Sequence, residues 1–132
     1  MICGMDGGWF AADFHVHTNV SWCAAREMSV SAIAWGAAAA GIGTIGLADH
    51  LWLDPKRGCR PAVSRLLSLR DRLADPRSPV RILLGAEADC APHRGLAGGD
   101  GVRNLDFAIA SYHFSDVREG ASAWPSSPEE LA

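Results

Sequence analysis

The order of apolar segments constrains this chain more than any other feature. Trp9 to Val16, Thr44 to Ala48, Val80 to Ala86 and Leu105 to Ser111 read as short strands, apolar and mostly bounded by turn residues. Val30 to Ala40 reads as a helix, rich in Ala, with Ser29 as N-cap and Gly41 placed to end it in the left-handed conformation. A second helix is expected from Pro61 through Val63, Leu66, Leu67, Leu69, Arg70 and Leu73, stopping at Asp75-Pro76. Long loops are expected from Thr18 to Met28 and from Asp89 to Asn104. The sequence strand, helix, strand, helix, strand, loop, strand implies an α/β fold with parallel strands covered by helices. The length of 132 residues suits a single domain over residues 1–132.

Composition removes several classes. A net charge of −3 with scattered basic residues gives no electrostatic footprint for nucleic acid. Cys3, Cys23, Cys59 and Cys90 form no CxxC pair, and no secretory leader pattern precedes the first strand. Free thiols in a reducing cytoplasm are the expectation. Ser29 to Ala48 carries no charge over 20 residues, but it is mostly Ala and Gly, inserts poorly, and divides into a helix and a strand. Gly41-Ile42-Gly43-Thr44-Ile45-Gly46 matches GxGxxG, yet its glycines follow a helix and lead into a strand. That order is the reverse of a dinucleotide site.

The chemistry-bearing residues gather at strand ends. In Asp13-Phe14-His15-Val16-His17, strict alternation would place Asp13, His15 and His17 on one face and Phe14 and Val16 on the other. Two imidazoles so spaced can bind one metal ion, with Asp13 orienting one of them from behind. A polar-faced edge strand with two solvated histidines is the alternative. Asp49 and His50 close the second strand, Glu87 the third, and His113 follows the fourth. In parallel α/β folds the carboxyl ends of the strands are where active sites assemble. Gly46, Ala48 and His50 share a face, as do Gly85, Glu87 and Asp89, and small neighbours leave room for ions and substrate. Four histidines and a glutamate suit zinc, manganese or iron rather than calcium, and exceed the needs of one tetrahedral ion.

Asp13-x-His15-x-His17-Thr18, Ala48-Asp49-His50, Gly85-x-Glu87 and Ser111-x-His113 occur in that order. Together they resemble the motifs of the PHP (polymerase and histidinol phosphatase) family. The resemblance implies the N-terminal half of a distorted (β/α)7 barrel with two or three divalent ions at its C-terminal face. It implies hydrolysis of phosphate esters. By that likeness His15, His17 and Glu87 hold one metal, Glu87 bridges to a second bound also by His113, and His50 belongs to a third. Asp49 and His50 are the expected catalytic residues. The family carries His or Asp six residues after the second motif histidine. Here that position is Cys23, either a thiolate ligand or the mark of a weakened third site.

The expected reaction is hydrolysis of a small phosphorylated substrate, with metal-activated water and a steadying cation. Arg26, Arg60 and Arg94, with Lys56 and Arg57, are the loop candidates for that cation. A plain surface charge is the alternative for each. A non-catalytic metal-binding or structural remnant, or a polymerase-associated exonuclease module, are the rival readings. The family's further ligands, a histidine and a late Asp-x-His, find no counterpart after His113. Ser127-Pro128-Glu129-Glu130 announces a helix at the last residues, so the chain is expected to be a piece of a longer protein. A missing C-terminal half or a second chain would then close the barrel.

Overall fold

The computed structural model describes residues 11–53, 62–73, 75–91 and 94–112. Strand β1 is Ala12–Val16, helix α1 Val30–Ala39 and strand β2 Thr44–Leu51. Short helices α2 (Val63–Leu67) and α3 (Arg70–Leu73) lead to strand β3, Arg81–Ala91. Strand β4 (Gly95–Leu96), a 3₁₀ helix (Gly99–Asn104) and strand β5 (Phe107–Ser111) follow. The fold is mixed α/β on a five-stranded, mostly parallel sheet. Strands β1, β2, β3 and β5 are parallel, and β4 pairs antiparallel with the end of β3.

The strand and helix order matches the apolar pattern, with corrections at the boundaries. Ser29 caps α1 as expected: its Oγ accepts from the Ala32 amide at 3.2 Å, and Gly41 turns the chain at φ 79°. The 20-residue uncharged stretch divides into α1 and β2, and no helix among the described residues is long and apolar enough to cross a membrane. The expected second helix is broken into α2 and α3 at Ser68-Leu69, where Ser68 Oγ donates to the Arg65 carbonyl at 2.7 Å. Strands β2 and β3 run past their expected ends, so His50 and Glu87 lie within strands rather than just beyond them. Part of the expected loop after β3 is β4 and the 3₁₀ helix. The capping pattern at Ser127, Pro61 and Trp9 lie outside the described residues.

Register fixes two unlike faces. Ile45, Leu47, Asp49 and Leu51 pair across with Ile82, Leu84, Ala86 and Ala88, and paired residues of parallel strands share a face. On that face Ile33, Ala34 and Ala37 of α1 pack against Ile45, Leu47 and Val80. Leu66 and Leu69 pack with Leu51, Leu84, Ala86 and Ala88. The opposite face carries Gly46, Ala48 and His50, then Gly85, Glu87 and Asp89, then Phe107, Ile109 and Ser111.

The glycines on this second face are there for space. A Cβ on Gly46 would stand 2.6 Å from Phe107 Cζ and 2.9 Å from Phe14 Cα, and a Cβ on Gly85 would also meet the Phe107 ring. Phe107 thus lies across two glycines, and Phe14 meets it edge-on at a centroid distance of 6.0 Å. Because the Phe14 contact is backbone, Gly46→Ala should push β1 off β2 and cost about 1–3 kcal/mol in chemical unfolding.

Asp106 ties the start of β5 to the rest. Its Oδ2 accepts from the Leu84 amide at 2.8 Å, and its Oδ1 from Arg70 Nη1 at 3.0 Å. The Leu84 amide holds its carboxyl below the usual aspartate range; burial opposes that shift and Arg70 adds to it. A depressed folded value means stability that is present above the unfolded pKa and lost as pH falls through the folded one. Asp106→Asn should therefore cost about 1 kcal/mol at neutral pH. In urea midpoints compared at neutral and acid pH, the variant should lose less on acidification than the parent.

Candidate metal centre

Strand β1 reaches the site through an irregularity that alternation could not foretell. Asp13 pairs with Ile45 and Val16 with Leu47, so Phe14 and His15 together stand opposite Gly46. The extra residue is a bulge, a device that re-aims side chains. It puts Asp13 on the helix-covered face and leaves Phe14 against Phe107 on the other, which corrects the expected alternation. Asp13 does not reach an imidazole. Its Oδ1 accepts from the His15 backbone amide at 3.0 Å, so it holds the bulge rather than a ring.

Past the bulge, three imidazoles converge on one oxygen. Glu87 Oε2 lies 3.2 Å from His15 Nε2, 3.4 Å from His17 Nε2 and 3.0 Å from His50 Nδ1. The register His50↔Glu87 explains the shortest of these, since both side chains leave neighbouring strands on the same face. Burial alone would raise the Glu87 carboxyl pKa. A hydrogen bond from Ser111 and the approach of His15 and His50 outweigh it, so the pKa lies below the ordinary value. The group is buried on the His50 and Glu87 side and open where the His15 side chain is 50% exposed.

Two donor sets emerge, His15–His17–Glu87 and His17–Cys23–His50, each with its donor atoms within 4.8 Å of one another. Nitrogen or oxygen donors on one tetrahedral zinc stand about 3.4 Å apart. The His15 and His17 distances to Glu87 match that spacing. These residues could hold a divalent ion.

His50 is held in place by residues that ligand-type patterns do not flag. The indole of Trp52 stacks on its ring at 4.4 Å, and Ser21 Oγ accepts from its backbone amide at 3.2 Å. Trp52 lies two residues on from His50 along the same strand direction, and that spacing was the available signal. Ser111 and Thr18 were likewise not singled out as site residues.

Asp49, expected as catalytic, has another task. It lies on the face opposite His50 and is 1% exposed. Its Oδ1 accepts from the Thr18 amide at 2.8 Å and from Ser21 Oγ at 2.7 Å, and its Oδ2 from Thr18 Oγ1 at 2.7 Å. It clamps the start of the 18–28 loop, which carries Cys23, against the sheet. Asp89, expected to open the long loop after the third strand, is instead a buried strand residue whose Oδ2 accepts from the Leu53 amide.

The expected cations divide. Arg26 is exposed, and its carbonyl accepts from Asn19 Nδ2. Arg94 donates from Nη2 to the Leu53 carbonyl at 3.2 Å, which joins the end of β2 to the β3–β4 turn. Arg60, Lys56, Arg57 and His113 lie outside the described residues. A cleft of about 580 Å³ beside α1, bordered by Trp35, Arg77 and Ile82, contains none of the metal donors. The candidate centre is therefore the open histidine cluster and not that cleft.

No family model matches this sequence, and no curated protein matches it.

Proposed function

We propose that this chain is a metal-dependent phosphoesterase of the PHP kind, its parallel sheet forming the N-terminal half of a distorted (β/α)7 barrel. One observation carries the reading. His15, His17 and His50, drawn from two of the resembling motifs, meet the carboxylate of a third, Glu87, at ligand spacing on one sheet face. His15, His17 and Glu87 would hold a divalent ion, with His50 and the following His113 serving further ions. A bound ion there supplies Lewis acidity toward a phosphoryl group and a nucleophile from water at neutral pH.

The chain's own residues set the arrangement. Trp52 and Ser21 fix His50, Ser111 fixes Glu87, and the bulge at Phe14-His15 brings the first imidazole onto the same oxygen. The exposed His15 side is where a phosphate ester would enter, because the opposite side is closed by Glu87 and His50. The Phe107 ring fills the space over Gly46 and Gly85 that those small residues would otherwise leave open on this face.

Metal content after loading with Mn(II) or Zn(II), read with hydrolysis of p-nitrophenyl phosphate and its bis ester, tests the proposal. Bound metal together with metal-dependent hydrolysis is the expected result. Bound metal without hydrolysis selects the non-catalytic metal-binding module, and no bound metal at neutral pH overturns both.

A further inference from the structure

Helix α1 lacks the polar outer face of a surface helix. Ser31 is its one polar residue, and no charge occurs from Ser29 to Ala48. Ile33, Ala34 and Ala37 are buried against the sheet. Ser31, Ala32, Trp35, Gly36 and Ala39 are exposed, and Trp35 keeps 62% of its surface open. A helix that is apolar all round is normally covered on every side. A large indole standing out from such a helix marks a contact surface.

The exposed face is complementary to itself. At about 3.6 residues per turn, Ala32 and Ala39 lie on its midline, and Trp35 and Gly36 flank that line on opposite sides. The bulky residue and the smallest one thus sit side by side at the middle of the helix. A Cβ on Gly36 would meet nothing within 4 Å, so the space above it is open. A two-fold axis along the midline carries Trp35 of one copy over Gly36 of the other, and the same contact recurs in reverse. Alanines on the axis let the two helices approach closely.

The charge pattern admits the same partner. A face that meets its own copy sets like charges together, and this one carries none. The charged side chains lining the adjoining cleft, Asp75 and Arg77, bond each other twice at 2.9 Å and cancel. A helix that lies on a bilayer carries Lys or Arg along its polar face, and α1 has neither.

We propose that α1 is a self-association surface, on which a second copy of this chain docks with the helices parallel and each Trp35 seated over the other's Gly36. That surface lies on the helix-covered side of the sheet, away from the histidines, and owes nothing to the metal-centre reading. A ten-residue helix is about 15 Å long, which keeps the contact at the small end of specific interfaces. The dimer should therefore be weak and assemble with rising concentration.

Sedimentation of the full chain from about 1 μM to about 1 mM provides the test, with a chelator present so that no ion bridges the copies. A monomer–dimer equilibrium is expected. Trp35→Ala should weaken it by about 30-fold or more, as loss of a central interface tryptophan does. Gly36→Gln should weaken it as much by filling the seat, yet raise the urea midpoint of the monomer, because Gly is the poorer helix former. Opposite signs in the two measurements separate a lost contact from a damaged fold. Trp22→Ala removes another exposed indole and should leave association unchanged. Ala39→Cys should form a 39–39 disulfide on mild oxidation, since a bridge needs Cα atoms within about 7 Å.

A chain that stays monomeric over this range overturns the proposal. So does a dimer that Gly36→Gln leaves unchanged, or one that Trp22→Ala weakens as much as Trp35→Ala. A dimer in which Ala39→Cys gives no 39–39 bridge arranges the helices otherwise and overturns the seat. Binding to neutral lipid vesicles that Trp35→Ala abolishes, with no dimer formed, gives the face to a membrane and overturns self-association.

Discussion

Glu87→Gln should abolish tight metal binding while leaving the fold intact. Glu87 supplies the one oxygen that His15, His17 and His50 all face, and it is the only anionic donor in either described donor set apart from the Cys23 thiolate. The amide keeps the volume and the acceptor for Ser111 but removes the charge that a divalent ion needs. Loss of a residue that merely supports a ligand costs about 10- to 100-fold in metal affinity, so loss of a direct ligand should exceed about 100-fold. Titration calorimetry with Mn(II) measures it, and hydrolysis of a phosphate ester should fall in parallel. Unchanged Mn(II) affinity in a folded Glu87→Gln protein would remove Glu87 from the centre.

Asp49→Ala should be the most destabilising single change at the site. Asp49 is buried and accepts three hydrogen bonds, from the Thr18 amide, Thr18 Oγ1 and Ser21 Oγ. Removing it strands those donors and leaves a void. Bonds to a charged acceptor are individually strong and each orphaned buried donor carries its own penalty, which together give about 3–5 kcal/mol. Against a total stability of about 5–15 kcal/mol for a small domain, that is a large share. Urea unfolding with a chelator present separates this loss from any stabilisation by bound metal. A midpoint shift of only a few tenths of a molar would show that the clamp is not needed.

The two changes divide the site by physical role. Glu87 faces the open side of the sheet among the donors that could hold an ion, whereas Asp49 sits on the covered side and holds the loop bearing Cys23. Both residues were singled out from sequence as ligand-type groups at strand ends. Only register separates them, because neighbouring strand residues point to opposite faces. The parity of His50 with Glu87 was readable from spacing once the strands were paired. That of Asp13 was not, because the bulge at Phe14-His15 breaks the two-residue period.

Amino-acid order by itself determined the succession of the four parallel strands and the first helix, the Ser29 cap, the turn at Gly41, and the histidine and glutamate residues that form the cluster. These follow from local chemistry: apolar runs, side-chain capping, and the conformational freedom of one glycine. Tertiary structure alone decided which atoms meet. The Phe107 ring crossing Gly46 and Gly85, the bulge that turns β1, the assignment of Asp49 to the loop, and the seat of Cys23 beside His17 all join residues far apart in the chain or depend on the neighbouring strand. A periodic pattern records which way a residue points along its own strand. It does not record the register of the next strand, and register is what brings His15, His17 and His50 to a single oxygen of Glu87.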